Sequence, residues 1–493
     1  MPSHAPEAMD GRTALTLRVL TVATFIVILN NTIMVNALPS LMESMRVDAQ
    51  TVQWLVTGFM LTMAVVIPTT GWFLQRVGRR TAFITAMSVF SAGTALGAVA
   101  PTFEILLMGR IVQATGTAVM MPLLMSTVLL LVPAGTRGRV MGNVSLAISV
   151  APAMGPTVSG VILSFGSWRW IFVVVFPLAV TAAVVGAWLL DPRRLGEAEA
   201  GEGDRLGEGG RMDPISVLLT IVGFGGLVYG LSRVGGAGSH LLGLPAMALV
   251  IGVVGVSLFA WRQMVLIRTS RPVLDLRVLR SPRYRLAVTI MAVSFMALMG
   301  AMVMLPLYFQ DARGMSTLQA GLMLMPGGLA MGLLGPPVGR LYDRVGAAPL
   351  VIPGSLALAG GIGMLAWSTN HGPWWLFLVL HLFMSAGLAF VFTPMFTAGL
   401  SSLRAPFYEH GSALLGTLQQ VAAAAGTALV ITVMSGAAAR SAATGVQPAA
   451  ALGQGVEAGL VVATVLAAVV AGLSLLFLRV GDDVTETEAD RDA

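Results

Sequence analysis

Few residues in this chain are equipped for chemistry, and several of them sit where a polar group is costly. Arg110 lies near the middle of an apolar run, with Gln113 and Thr117 three and seven residues on, along one helical face. A charge at such depth costs about 2.5–3.5 kcal/mol on insertion scales, so it calls for a cavity or a partner. Asn30 and Asn31 lie in the first apolar run. Their amides can hydrogen-bond a substrate or a neighbouring helix but cannot carry a proton near neutral pH. His381 is the only histidine inside such a run, and imidazole is the side chain best suited to a proton relay; a hydrogen-bonded structural role is its alternative. Asp311 ends another run beside Arg313, placed either to admit a proton or simply to be solvated. Of the 23 acidic residues, none falls at the centre of an apolar run. Trp54, Phe59, Met120 and Met121 could line a pliable apolar pocket, because thioethers repack around varied ligands. Each taken alone is equally compatible with packing.

A second set of polar residues repeats. Gly71-Trp-Phe-Leu-Gln75-Arg76-Val-Gly78 recurs as Gly339-Arg-Leu-Tyr-Asp343-Arg344-Val-Gly346, with a proline three residues before each copy, Pro68 and Pro336. Arg79 and Arg80 extend the first copy. Each copy lies between two apolar runs, as a short basic hairpin placed once per half. The copies differ at Gln75 against Asp343, so only the second is expected to offer an acid to an arginine.

The elements that must position these groups are apolar and long. The chain has 493 residues, 56% hydrophobic and 11% charged, with a mean hydropathy of +0.84. A soluble domain carries roughly 25% charged residues, so this is a polytopic membrane protein. Runs of about 20 apolar residues suffice to cross a bilayer. Fourteen such runs occur, at 17–38, 53–73, 81–100, 104–131, 140–164, 168–190, 214–233, 241–266, 285–309, 317–338, 347–368, 374–399, 411–435 and 456–479. The first follows Arg12 and Arg18 and lacks a small-residue cleavage site, which predicts a retained span.

All basic side chains are arginine. With the N-terminus in the cytoplasm and fourteen crossings, 23 arginines fall inside, five outside and one, Arg110, within a span. That bias satisfies the positive-inside rule and puts both termini in the cytoplasm. The same placement turns the net charge of +6 into a topology signal, with no nucleic-acid partner implied. Cysteine is absent, excluding disulfides, thiolate metal sites and cysteine nucleophiles. There is no phosphate loop of the G-x-x-x-x-G-K type and no catalytic constellation. Neither an enzyme, a metal nor a cofactor is expected. The predicted division is a six-helix bundle (1–190), a segment with a polar linker, two inserted helices and a basic loop (191–283), a second six-helix bundle (284–480) and an acidic cytoplasmic tail (481–493).

Further motifs run through both halves: Arg110-Ile-Val-Gln113-Ala-Thr-Gly116, Ala151-Pro152-Ala-Met-Gly155-Pro156-Thr-Val-Ser-Gly160, Trp168-Arg-Trp-Ile-Phe172 and Gly411-Ser-Ala-Leu-Leu-Gly-Thr-Leu-Gln-Gln420. With the paired hairpins, they resemble the major facilitator superfamily, and within it the drug/proton antiporter family of fourteen spans, of the multidrug or lincomycin-type efflux permeases. The resemblance implies a monomer in the cytoplasmic (inner) membrane that exports lipophilic compounds against proton influx. It also implies a substrate cavity that includes Asn30, Asn31, Trp54, Phe59, Arg110, Gln113, Met120 and Met121, and a cytoplasmic gate at the two hairpins. Pro152, Gly155, Pro156 and Gly160 would mark a bent antiporter-motif helix, since proline removes a backbone hydrogen bond and glycine admits close packing. The family carries an acid in the first span where this chain has Asn30 or Asn31. Proton coupling therefore lacks its usual carrier, leaving His381 and Asp311. Two other readings remain: a dedicated exporter of an endogenous metabolite or lipid with atypical or no proton coupling, and a non-transporting scaffold or sensor.

Overall fold

The computed structural model describes residues 11–164, 166–190, 212–233, 243–268 and 272–478. The linker 191–211 and the acidic tail 481–493 lie outside the described residues. Fourteen long apolar helices account for almost everything else: α1 (Gly11–Asn36), α2 (Gln50–Val77), α3 (Arg79–Ala98), α4 (Phe103–Leu131), α5 (Arg137–Leu163), α6 (Arg169–Leu189), α7 (Pro214–Arg233), α8 (Leu244–Ile267), α9 (Pro282–Leu307), α10 (Thr317–Val345), α11 (Ala348–His371), α12 (Trp374–Ser401), α13 (Tyr408–Ala443) and α14 (Pro448–Leu476). Thirteen are straight enough to count directly as spans, and α5, bent by 45° between Gly155 and Thr157, makes the fourteenth. Helix is the only way an open chain satisfies its backbone in lipid.

Short polar residues start several of these helices by accepting orphan backbone N–H groups. Ser281 accepts from Tyr284 at 3.2 Å, and Ser316 forms a capping box with Gln319. Asp213 accepts from Ser216 at 2.9 Å.

Several boundaries differ from expectation, among them those of α13 and α14. Helix α13 begins at Tyr408 and runs 36 residues, and α14 begins at Pro448. Ala-rich sequence with no breaker lets both continue beyond the bilayer, since 36 residues rise about 54 Å against a hydrocarbon core of about 30 Å. Glu457 thereby lies within α14, yet about 20 residues from Leu476, at the outer edge of the hydrocarbon. The hairpin motif is also more helical than its glycines suggest. Helix covers Thr70–Val77 and all of α10, so each connection is only a tight turn. That turn needs glycine, because Gly78 and Gly346 both adopt φ of 77°.

The two bundles meet symmetrically. Helix α5, fifth in its bundle, packs on α10 and α12; α13, fifth in the other, packs on α2 and α4. Gly138 and Gly142 of α5 oppose Gly339 and Gly335 of α10 so closely that a Cβ on Gly142 would run into the Gly335 carbonyl. The inserted pair breaks the symmetry. Helix α7 packs on α2 and on α13, covering one of the two seams between bundles and leaving the α5–α10 seam uncovered. Trp54 of α2 stacks on Tyr229 of α7 at 6.0 Å, with Arg233 5.7 Å above the Trp54 ring.

At its arginine-rich end the insert is tied by Asp213, which receives Arg262 at 2.7 and 2.8 Å. These bonds hold the Asp213 carboxyl well below the usual carboxylate range. A depressed carboxyl stabilises the fold above its unfolded value near 3.9 and is lost only as pH falls through the lowered one, so this tie persists at neutral pH. The α5–α10 crossing yields a direct test. Gly142→Val should force the helices apart, lowering the Tm of the purified protein by several degrees while Gly160→Ala, with open space around it, leaves it unchanged.

Candidate functional site

Inside the first bundle, Arg110 joins α4 to α1 and α2, and Gln113 extends the network to α3. It donates from Nη1 to Gln113 Oε1 at 3.0 Å and from Nη2 to Asn31 Oδ1 at 2.8 Å. Its Nε points at the Leu55 carbonyl at 3.5 Å, and its guanidinium lies 4.2 Å over the Phe59 ring. Gln113 passes the network on by donating to Thr94 Oγ1 at 2.8 Å. A planar fork suits this multi-point geometry, which a lysine ammonium cannot reproduce. Every hydrogen-bond partner of the cation here is a neutral oxygen. Arg110 and Gln113 are fully enclosed and Phe59 is buried; Asn31 alone among the side chains that touch the guanidinium is partly exposed.

The other sequence-predicted cavity residues scatter. Asn30 points into the bundle, 1% exposed, with neither amide atom bonded among the described residues. Trp54 faces the insert. Met120 is buried and Met121 half-buried. The structure contains a cavity elsewhere, of about 200 Å³, between α2, α3 and α4, lined by Val66, Phe73, Val89, Thr115 and Val119 and bordered by Met212 ahead of α7. Nothing in the sequence pattern flagged it, since its lining is ordinary apolar helix.

His381 of α12 is 3% exposed. Its Nε2 lies 3.2 Å from the Leu324 carbonyl, which assigns the ring proton to Nε2. Nδ1 has no partner among the described residues and keeps a free lone pair. A glycine at 327 is required, because a Cβ there would strike the imidazole. Asp311 is exposed at the outer end of α9, and Arg313 turns away to Tyr308 Oη at 2.7 Å and the Gly372 carbonyl at 2.8 Å. In α5, Gly155 packs against Thr32 of α1, Gly160 has open space around it and Pro152 is exposed. The side chain of Pro156 lies outside the described residues.

The hairpins seal the arginine-rich side, which the positive-inside rule places in the cytoplasm. Each presses its first glycine on the first turn of the opposite bundle's fifth helix: Gly339 on Gly138, and Gly71 on His410, where a Cβ would come within 2.6 Å of Nδ1. Each then bonds that helix end. Asp343 accepts the Gly138 N–H at 2.7 Å and the Arg139 N–H at 2.8 Å, an N-cap supplied from the other bundle.

In the first copy, Gln75 accepts from His410 Nε2 at 3.1 Å and donates to the Pro406 carbonyl at 3.0 Å. The acid is transposed: Glu409, in the first turn of α13, pairs with Arg79 of the hairpin. The expectation that only the second copy can join an acid to an arginine is therefore corrected. The ion pair is in the first copy, and Asp343 bonds backbone instead. Arg80 donates to the Ala187 carbonyl at 2.8 Å, closing the end of α6. Arg76 sits half-buried and Arg344 exposed on the same face.

Sequence reasoning missed Glu409, His410 and Asp275. Their signal is not local: Glu409 and His410 lie 330 and 335 residues from their hairpin partners Arg79 and Gln75.

Two helical bundles sealed on one side by duplicated hairpins form the architecture of a secondary membrane transporter. The Major Facilitator Superfamily model matches residues 20–427, and the chain belongs to that superfamily, as a multi-pass protein of the cytoplasmic (inner) membrane and a transporter, not an enzyme. It is 38% identical over 455 residues to the uncharacterized MFS-type transporter YcnB of Bacillus subtilis (strain 168), with 92% of each chain covered. It is 35% identical over 415 residues to the lincomycin resistance protein LmrB of Listeria monocytogenes, with 84% of each covered. The crystal structure of the human organic anion transporter MFSD10 shares the fold, with a TM-score of 0.65 at 15% identity, covering 94% of this chain and 99% of that one.

The Arg110 network makes a sharp prediction. Arg110→Ala, and equally Arg110→Lys, should lower transport by about tenfold or more, since neither restores the planar fork, while membrane abundance stays close to wild type. Wild-type transport rates from Arg110→Ala would remove the network from function.

Proposed function

We propose that this protein exports lipophilic or amphipathic compounds of the drug and antibiotic class across the cytoplasmic membrane, by alternating access and in exchange for protons. The observation that carries this reading is the reciprocal seal. Two bundles joined at one side by glycine contacts and a few polar bonds can part there without unfolding either bundle. Likeness to LmrB, named for lincomycin resistance, supports the compound class. Apolar and thioether side chains suit such substrates better than a polar ligand. Asn31, the partly exposed member of the Arg110 network, offers an amide through which a substrate could sense that network. The two six-helix units and the intervening insert act as the moving parts, in a monomer.

For the proton, His381 is the carrier we favour, its unbonded Nδ1 being an acceptor within the second bundle, and the exposed Asp311 lies nearer the outer face. One observation favours a second reading, export of an endogenous metabolite or lipid without conventional coupling: no carboxylate lies at mid-depth of a span among the described residues. The retained seals weigh against a scaffold or sensor.

Transport of a panel of lipophilic compounds in proteoliposomes, with and without an imposed pH gradient, separates these. Export should accelerate with the gradient in wild type. His381→Gln should keep downhill export and lose the acceleration; full acceleration in that variant would dismiss His381 as the carrier.

A further inference from the structure

The first seal contains a titratable group that the transport reading does not use. His410, 4% exposed, sits between three segments. Its Nδ1 faces the Asp275 backbone N–H at 3.3 Å, and its Nε2 faces Gln75 Oε1 at 3.1 Å. A backbone N–H can only donate, so Nδ1 is unprotonated and Nε2 carries the hydrogen. The imidazole is thus neutral in the sealed state, and both its nitrogens are used.

The Asp275 end of this contact is held by the insert. Gln263 of α8 donates to Ser216 Oγ of α7 at 2.8 Å and accepts the Val273 and Leu274 N–H groups at 2.8 and 3.2 Å. Ser216 in turn donates to Asp213 at 2.6 Å. A continuous run of hydrogen bonds therefore leads from the paired inserted helices, through residues 273–275, to His410 and across to the hairpin of the first bundle. Among the described residues no such run reaches the second seal, where Asp343 accepts from the Gly138 and Arg139 backbone N–H groups.

We propose that His410 is a proton-responsive positioning residue of the cytoplasmic seal, held in its sealing form by the two inserted helices. A second proton on the ring would set an Nδ1–H against the Asp275 N–H, turning a bond into a repulsion between donors. Among the described residues, the anions around it are already paired. Asp275 is held by Arg277 at 2.6 Å. Glu409 of its own helix is held by Arg79 of the first hairpin. Arg137 of α5 adds positive charge beside Tyr408, 3.4 Å from its hydroxyl. A desolvated imidazolium without a partner is costly, so protonation releases the first seal and admits the cytoplasm to the space between the bundles. The insert then has a mechanical role: it keeps the seal shut until His410 is charged.

The chain has no cysteine, so labels can be placed without a prior background. Spin labels on Thr81→Cys and Ala405→Cys, both exposed on opposite sides of the first seal, report its opening in nanodiscs without substrate. Between about pH 8 and about pH 5.5, on either side of the usual histidine range, the wild-type distance distribution should gain a longer population severalfold. His410→Gln, whose amide can accept from Asp275 and donate to Gln75, should stay short at both pH values; His410→Asn serves if that variant is not recovered folded. Gln263→Leu, which frees residues 273–275, should show the longer distance at both. An unchanged wild-type distribution, or a full pH shift in the His410 variant, overturns the proposal, and a wild-type response from Gln263→Leu overturns the insert's part in it. The proposal rests on the alternating-access reading, but the two fail separately: export without this pH shift sinks the switch alone, and the shift without export sinks the export reading alone.

Discussion

The contact on which the rest depends is the N-terminal turn of the fifth helix in each bundle, held by the hairpin of the opposite bundle. A helix start exposes unpaired N–H groups and the positive end of its dipole. Here Asp343 supplies the missing acceptors for α5, while at α13 the first hairpin meets side chains of the first turn, Arg79 pairing with Glu409 and Gln75 accepting from His410. Because these partners come from across the interface, each contact lasts only while the bundles are together on that side. A single charged cap contributes about 0.3–1 kcal/mol. Two seals of that order, with glycine contacts between them, hold a boundary that modest differential binding energy can open.

The insert changes the balance between the seals. By packing on α2 and α13 it covers one seam, while the α5–α10 seam is left to close glycine contacts such as Gly142 on Gly335 and to the Asp343 bonds at the α5 end. The fourteen-helix chain is thus less symmetric mechanically than its duplicated sequence implies. Arg110 sits inside the first bundle, bonded to helix neighbours through neutral oxygens, so that a cation is built into that bundle without exposure.

Much of this was legible in the residues. Hydropathy gave the spans, arginine placement gave the topology, and the spacing of Gly71, Gln75 and Gly78 against Gly339, Asp343 and Gly346 marked both seals. Polar residues at helical spacing identified Arg110 with Gln113, because burial of a charge demands local partners. What escaped were contacts set by tertiary packing. Trp54 reads as cavity lining until the insert is seen to cover it. Gln75 reads as a lost acid until Glu409, more than three hundred residues on, is seen to supply the carboxylate from the other side. The ends of α13 and α14 are not legible from hydropathy, because alanine and glycine carry too little contrast to separate a span from its helical extension.

The central claim is that the cytoplasmic seal must open in every transport cycle. Cysteines placed at Arg139 and Arg340, exposed residues flanking the second seal, can be joined by a short bifunctional reagent with a reducible linker. Proteoliposomes carrying fully cross-linked protein should stop transporting and recover on reduction. Undiminished transport with the cross-link complete would contradict the account.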